Sequence, residues 1–104
     1  MSQPVLNRTV TIINPEGLHA RPADMIVRTA GKFESSIQIA KDGEAVDCKS
    51  ILSLLTLGAA QGTELTLSAD GADAQQALDT LGQLFDSGFV APSQIQDTEP
   101  AVDS

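Results

Sequence analysis

Tryptophan and tyrosine are absent from this chain, and cysteine and histidine occur once each. Without Trp and Tyr, an aromatic platform on which a base or a sugar ring could stack is not expected. A single cysteine, Cys48, cannot close an internal disulfide, which fits a reducing compartment. Basic residues are also scarce: six Lys and Arg stand against fourteen Asp and Glu, for a formal charge of −8. Binding to DNA, RNA or an anionic membrane depends on cations that neutralise phosphates, so this balance argues against all three. No run of eighteen apolar residues occurs, and mean hydropathy is near zero, so no segment reads as a membrane span. The opening MSQPVLNRTV has neither the basic nor the apolar part of a secretory signal. Together these features lead us to expect a soluble cytoplasmic protein.

What is present suffices for one core. The 104 residues are 41% apolar, the scale of one domain. Residues 5–13 (VLNRTVTII) are rich in β-branched types and read as a strand. In NPEG, Asn14, Pro15 and Gly17 occupy the first, second and fourth positions favoured in a type I turn. From 20 to 31 Ala23, Ile26, Val27 and Ala30 recur at helical spacing, with Pro22 in the first turn, where no intrahelical partner awaits an N–H. SSIQIA (35–40) and EAVDC (44–48) flank an Asp-Gly hairpin signal, KDG. Residues 50–58 read as a short helix, 63–69 as an alternating strand, and 73–85 as a helix whose stripe runs through Ala74, Ala77, Leu78, Leu81, Leu84 and Phe85. The order βαββαβα predicts an α+β sandwich, with strands in one layer and helices on one face. Residues 90–104, with two prolines, three acids and no Lys or Arg, read as a disordered acidic tail following a domain of residues 1–89.

His19 stands immediately before the first helix, in GLHARPA. A lone histidine is most often a polar loop residue, but its surroundings here suit an anion. The N–H groups of Ala20 and Arg21 lack intrahelical acceptors and lie at the positive end of the helix dipole, and the Arg21 guanidinium is a fork suited to phosphate. A metal site would need three or four ligands, and Cys48 is the only soft candidate; we expect no metal and no cofactor. Covalent phosphoryl transfer needs only one histidine. Non-covalent capture of a phosphorylated metabolite by the His-Arg pair is the other chemistry these residues allow.

The short helix carries a second signal. Ser50 is a favoured N-cap type at its start. Ile51, Leu52, Leu54, Leu55 and Leu57 cover roughly 220° of the circumference, against the ~100° or somewhat more that a surface helix buries. With Leu54 and Leu57 facing the core, Ile51, Leu52 and Leu55 are left as an apolar patch for a partner. Cys48 shares a sheet face with Val46 and reads as a core or edge residue.

GLHARPA followed by a helix, then KSILSLLTLG, then GTELTLSADGADAQQALDTL, together resemble the HPr phosphocarrier family of the phosphoenolpyruvate:sugar phosphotransferase system, from about Val5 to Phe89. The resemblance implies an open-faced β-sandwich, a four-stranded antiparallel sheet with three helices. It implies a stoichiometric carrier, not an enzyme: His19 would accept a phosphoryl group from enzyme I and pass it to enzyme II A domains, with Arg21 steadying the phosphate. Ser50 matches the serine that a dedicated kinase/phosphorylase modifies in some members, and a monomer is expected. A regulatory protein of the same fold is the alternative, either nitrogen-type or of the catabolite-repression kind, whose member lacks the active histidine. One departure stands out. Asp24 occupies a position where the family usually has a small residue, and it is spaced to pair with either Arg21 or Arg28.

Overall fold

A computed structural model describes residues 5–90. The strands are β1 (Leu6–Thr11), β2 (Ser36–Lys41), β3 (Glu44–Asp47) and β4 (Glu64–Asp70); the helices are α1 (Ala20–Ala30), α2 (Ile51–Thr56) and α3 (Ala74–Asp86). The sheet order is β1-β4-β2-β3, and every pairing is antiparallel. This is the expected α+β sandwich, with the expected element order. Boundaries differ from the sequence reading by a residue or two, because Gly31, Ser50, Leu57 and Asp73 serve as caps outside the helices proper. The expected tail lies outside the described residues except for Val90.

Alternation along the strands separates the two sheet faces. Val10, Ile37, Ile39, Leu65, Leu67 and Ala69 are buried against the helices, whereas Asn7, Thr9, Gln38 and Thr66 are exposed on the other face. The hairpin between β2 and β3 turns on Asp42 and Gly43, both left-handed at φ 53° and 85°, as an Asp-Gly turn requires. On the helical side α3 packs on β1 and β4, α2 on β3, and α1 against the other two helices. Cys48 is fully buried in this core.

α3 buries the stripe Ala74, Ala77, Leu78, Leu81, Gly82 and Phe85. An interior glycine costs a helix up to about 1 kcal/mol, and here it leaves room for an arginine side chain. A Cβ on Gly82 would run into the guanidinium of Arg8, which crosses the helix to reach Asp79 at 3.8 Å and Asp86 at 3.2 Å. At the other end of α3, the Asp73 carboxylate accepts hydrogen bonds from the Glu34 N–H (2.9 Å), the Ser35 N–H (3.0 Å) and the Ser35 hydroxyl. That contact ties the α1–β2 loop to the start of α3.

Candidate functional site

The turn from β1 into α1 is held from below. Gly17 donates its N–H to the Asn14 carbonyl at 3.1 Å, which closes the four-residue turn read from NPEG. Gly17 is left-handed, φ 75°, and a Cβ there would lie 2.7 Å from the Ala59 carbonyl oxygen; both facts require glycine. Next along the chain, Leu18 donates its N–H to that same Ala59 carbonyl at 2.9 Å and buries its side chain. With Leu18 plugged inward, the following residue turns out to solvent. That residue is His19.

His19 is exposed, in an extended conformation as the N-cap of α1, and its side chain makes no capping bond. Its carbonyl accepts the Ala23 N–H at 3.0 Å and opens the helix, leaving the N–H groups of Ala20 and Arg21 without an intrahelical acceptor. No acidic residue occupies the first turn, so nothing there offsets the positive end of the helix dipole. Pro22 is buried beneath.

Beside the imidazole lies a shallow depression of about 100 Å³, lined by Asn14, Glu16, His19, Arg21, Pro22, Gly88 and Phe89. It is small and partly open to solvent. Of the lining residues, sequence reasoning had singled out His19 and Arg21. Gly88 and Phe89 arrive from the far end of α3, where both are left-handed, φ 70° and 68°. Phe89 donates its N–H to Leu84 O at 2.9 Å and sets its ring edge-on against Phe85, centroids 4.9 Å apart.

Arg21 has no salt bridge among the described residues, whereas the other two arginines do. Asp24 resolves its choice in favour of Arg28, Oδ2 to Nε 2.8 Å, so the carboxylate that departs from the family pattern does not park Arg21. The exposed Arg21 guanidinium remains available to an anion in the depression.

Ser50, Ile51, Leu52 and Leu55 stand apart from this depression, on α2, which packs against α1. Ser50 is the N-cap expected, its hydroxyl accepting the Ser53 N–H at 3.3 Å. Leu54 and Leu57 are buried; Ile51 is half-buried. Leu52 is 73% and Leu55 38% exposed, so the helix carries a solvent-facing apolar strip, as its excess of leucines predicted. Burial pushes the Cys48 thiol up to about 12, with Asp47 adding to the effect, which leaves almost no thiolate at neutral pH. Among the described residues no group of three His, Cys, Asp or Glu side chains comes together as metal ligands, and no helix is long and apolar enough to cross a membrane.

A family model described as "PTS HPr component phosphorylation site" matches residues 6–87. Among solved structures, HPr from Thermoanaerobacter tengcongensis is similar at 44% identity and TM-score 0.78, covering 81% of this chain and 94% of that one. The phosphocarrier HPr from Bacillus anthracis matches at 34% identity and TM-score 0.76, covering 80% and 99%. The Bacillus subtilis catabolite repression protein Crh, a dimer formed by domain swapping, matches at 38% identity and TM-score 0.66, covering 88% and 99%.

Proposed function

Because this chain belongs to the HPr family of phosphotransferase-system phosphocarriers, which are carriers rather than catalysts, we propose that it carries its phosphoryl group on His19. A ring nitrogen of the imidazole attacks the phosphorus of phospho-enzyme I. A nitrogen–phosphorus bond forms as the donor's bond to phosphorus breaks, and the displaced group stays on enzyme I. An enzyme II A domain then takes the group by the same step in the other direction. Arg21 and the N–H groups of Ala20 and Arg21 neutralise charge on the phosphoryl oxygens in passing.

The observation that carries this reading is the exposed imidazole at the start of α1, sharing its depression with an arginine that has no ion pair among the described residues. The openness matters. A carrier must release what it accepts, and a few solvent-facing donors bind phosphohistidine less tightly than a closed pocket would. Ile51, Leu52 and Leu55 supply the contact area for enzyme I and the enzyme II A domains. A phosphate added to Ser50 by a kinase would meet the positive end of α2, so it adds charge beside that contact without dislodging the cap. The likeness to Crh is what favours the second reading, a regulatory HPr-like protein; the presence of His19 favours the carrier. We take the working form to be a monomer, although Crh forms a swapped dimer, and light scattering reads this directly.

The test is incubation with phosphoenolpyruvate and enzyme I, followed by assay for an acid-labile, base-stable phosphate. His19→Ala should abolish labelling and shift stability by no more than about 0.5 kcal/mol, as expected for an exposed side chain. A His19→Ala protein that still takes label would overturn the assignment.

A further inference from the structure

Asn14 is buried, at 7% exposure, in a turn where Pro15, Glu16 and His19 face solvent. Its Nδ2 donates to the Gly17 carbonyl at 2.9 Å. That carbonyl also accepts the N–H of His19 at 3.1 Å. One oxygen therefore joins the Asn14 amide to the backbone of the histidine. The bond also fixes which way the amide points, since its oxygen cannot face another carbonyl. The remaining atom, Asn14 Oδ1, is buried with no donor among the described residues, and Asn14 lines the same depression as the imidazole. A buried acceptor without a partner is rare enough to call for a reason.

Resting on the reading of His19 as the phosphoryl acceptor, we propose that Asn14 is a positioning residue for the transfer, holding the Gly17 carbonyl and through it the backbone of His19. Gly17 and Leu18 are already pinned from the other side by Ala59; Asn14 pins the turn from within. The imidazole is then held in place at its backbone while its ring stays free to meet a partner. Phosphoryl transfer demands alignment of the attacking ring nitrogen, and small misplacements cost much rate. Other side chains do this poorly. Aspartate has the same shape but presents an acceptor to the Gly17 carbonyl, alanine presents nothing, and serine offers a donor on a shorter arm.

The experiment uses Asn14→Ala, Asn14→Asp and Asn14→Ser in the full chain, each checked for folding by circular dichroism at the assay temperature. Single-turnover transfer from phospho-enzyme I is followed across a range of enzyme I concentrations. The alanine and aspartate variants should lose about tenfold in saturating rate, with half-saturation unchanged because a buried amide touches no partner. Serine should recover part of the loss. The imidazole ¹⁵N shifts of unphosphorylated His19 should move in the alanine variant, a signature that a change in stability alone does not produce. Folded alanine and aspartate variants that transfer at the wild-type saturating rate overturn the proposal, as does a loss confined to half-saturation. Should those two not fold, the serine variant decides by the same criteria. Failure of the wild type to accept label speaks against the carrier reading instead, and the ¹⁵N shifts still report whether Asn14 sets the ring's environment.

Discussion

α2 holds two leucines, two residues apart, in opposite environments, and they give a test of docking that is internally controlled. Leu54 has no exposure and Leu52 is 73% exposed. Leu54→Ala opens a cavity between α2 and the sheet and should cost about 2–5 kcal/mol of stability. Leu52→Ala removes little that the folded protein buries, so stability should stay within about 0.5 kcal/mol. Binding should respond in the reverse sense. Leucine to alanine deletes three carbons, worth roughly 2.4 kcal/mol at full burial. Only the exposed 73% is left for a partner to cover, which scales the loss to about 1.8 kcal/mol, or roughly twentyfold in Kd. The same scaling for Leu55, 38% exposed, gives about 0.9 kcal/mol, or roughly fourfold. Urea unfolding reads the first axis, and calorimetric titration against enzyme I and an enzyme II A domain reads the second. Wild-type affinity of Leu52→Ala for both partners would show that the exposed strip of α2 docks neither, whatever its exposure.

Two further outcomes follow from the contacts of single charged groups. Arg21→Ala should slow single-turnover transfer by at least about tenfold, whereas Arg28→Ala, whose guanidinium is engaged by Asp24, should change it by less than about twofold; equal losses would mean that both arginines supply only general positive charge. Hydrogen bonds from the Ser35 hydroxyl and then the Glu34 N–H hold the Asp73 carboxyl below its ordinary value, so its contribution to stability is present above the unfolded-state pKa, about 4, and is lost as pH falls through the lower folded value. Asp73→Asn should accordingly unfold at lower urea than wild type at pH 7, with the gap narrowing below about pH 4; a gap that stays constant down to pH 2 would remove Asp73 from the acid response.

The parts of the site that could be read from the chain are those whose determinants are neighbours along it. His19, Ala20 and Arg21 are consecutive, and a helix start exposes its N–H groups wherever it occurs. The helices and strands were legible for a similar reason: Ala74, Ala77, Leu78, Leu81 and Phe85 repeat at the period of the element that buries them. Leu52 and Leu55 could be placed outside because five apolar residues among the seven from Ile51 to Leu57 exceed what one buried face accommodates. Residues that the fold alone brings together could not be read. Ala59 meets Gly17 and Leu18 across the loop after α2, and Asp73 reaches Ser35 across 38 residues. Phe89 lines the same depression as His19 only because the end of α3 returns to the start of α1, and a phenylalanine in the left-handed region gives no local sign of itself. Asp24 lay within helical reach of both Arg21 and Arg28; spacing alone did not choose between partners three and four residues away.

That last choice bears on why the site works with so few parts. The chain is acidic overall, and its arginines are used sparingly: Arg8 is spread across α3 to Asp79 and Asp86, and Arg28 is held by Asp24. Lys41 and Lys49 donate to the backbone carbonyls of Leu57 and Phe33. Arg21, by contrast, is exposed and carries no ion pair among the described residues. On the proposed reading, an arriving phosphoryl group would meet a cation that holds no carboxylate among the described residues. Glu16, lining the same depression, would act in the opposite sense on that reading, since its charge repels a bound phosphoryl group and favours departure. A free arginine beside a carboxylate suits a group that is to be held briefly. What would give the site permanence lies underneath, where Leu18 donates to the Ala59 carbonyl and Asn14 to the Gly17 carbonyl that also accepts the His19 N–H, while the histidine itself stays exposed.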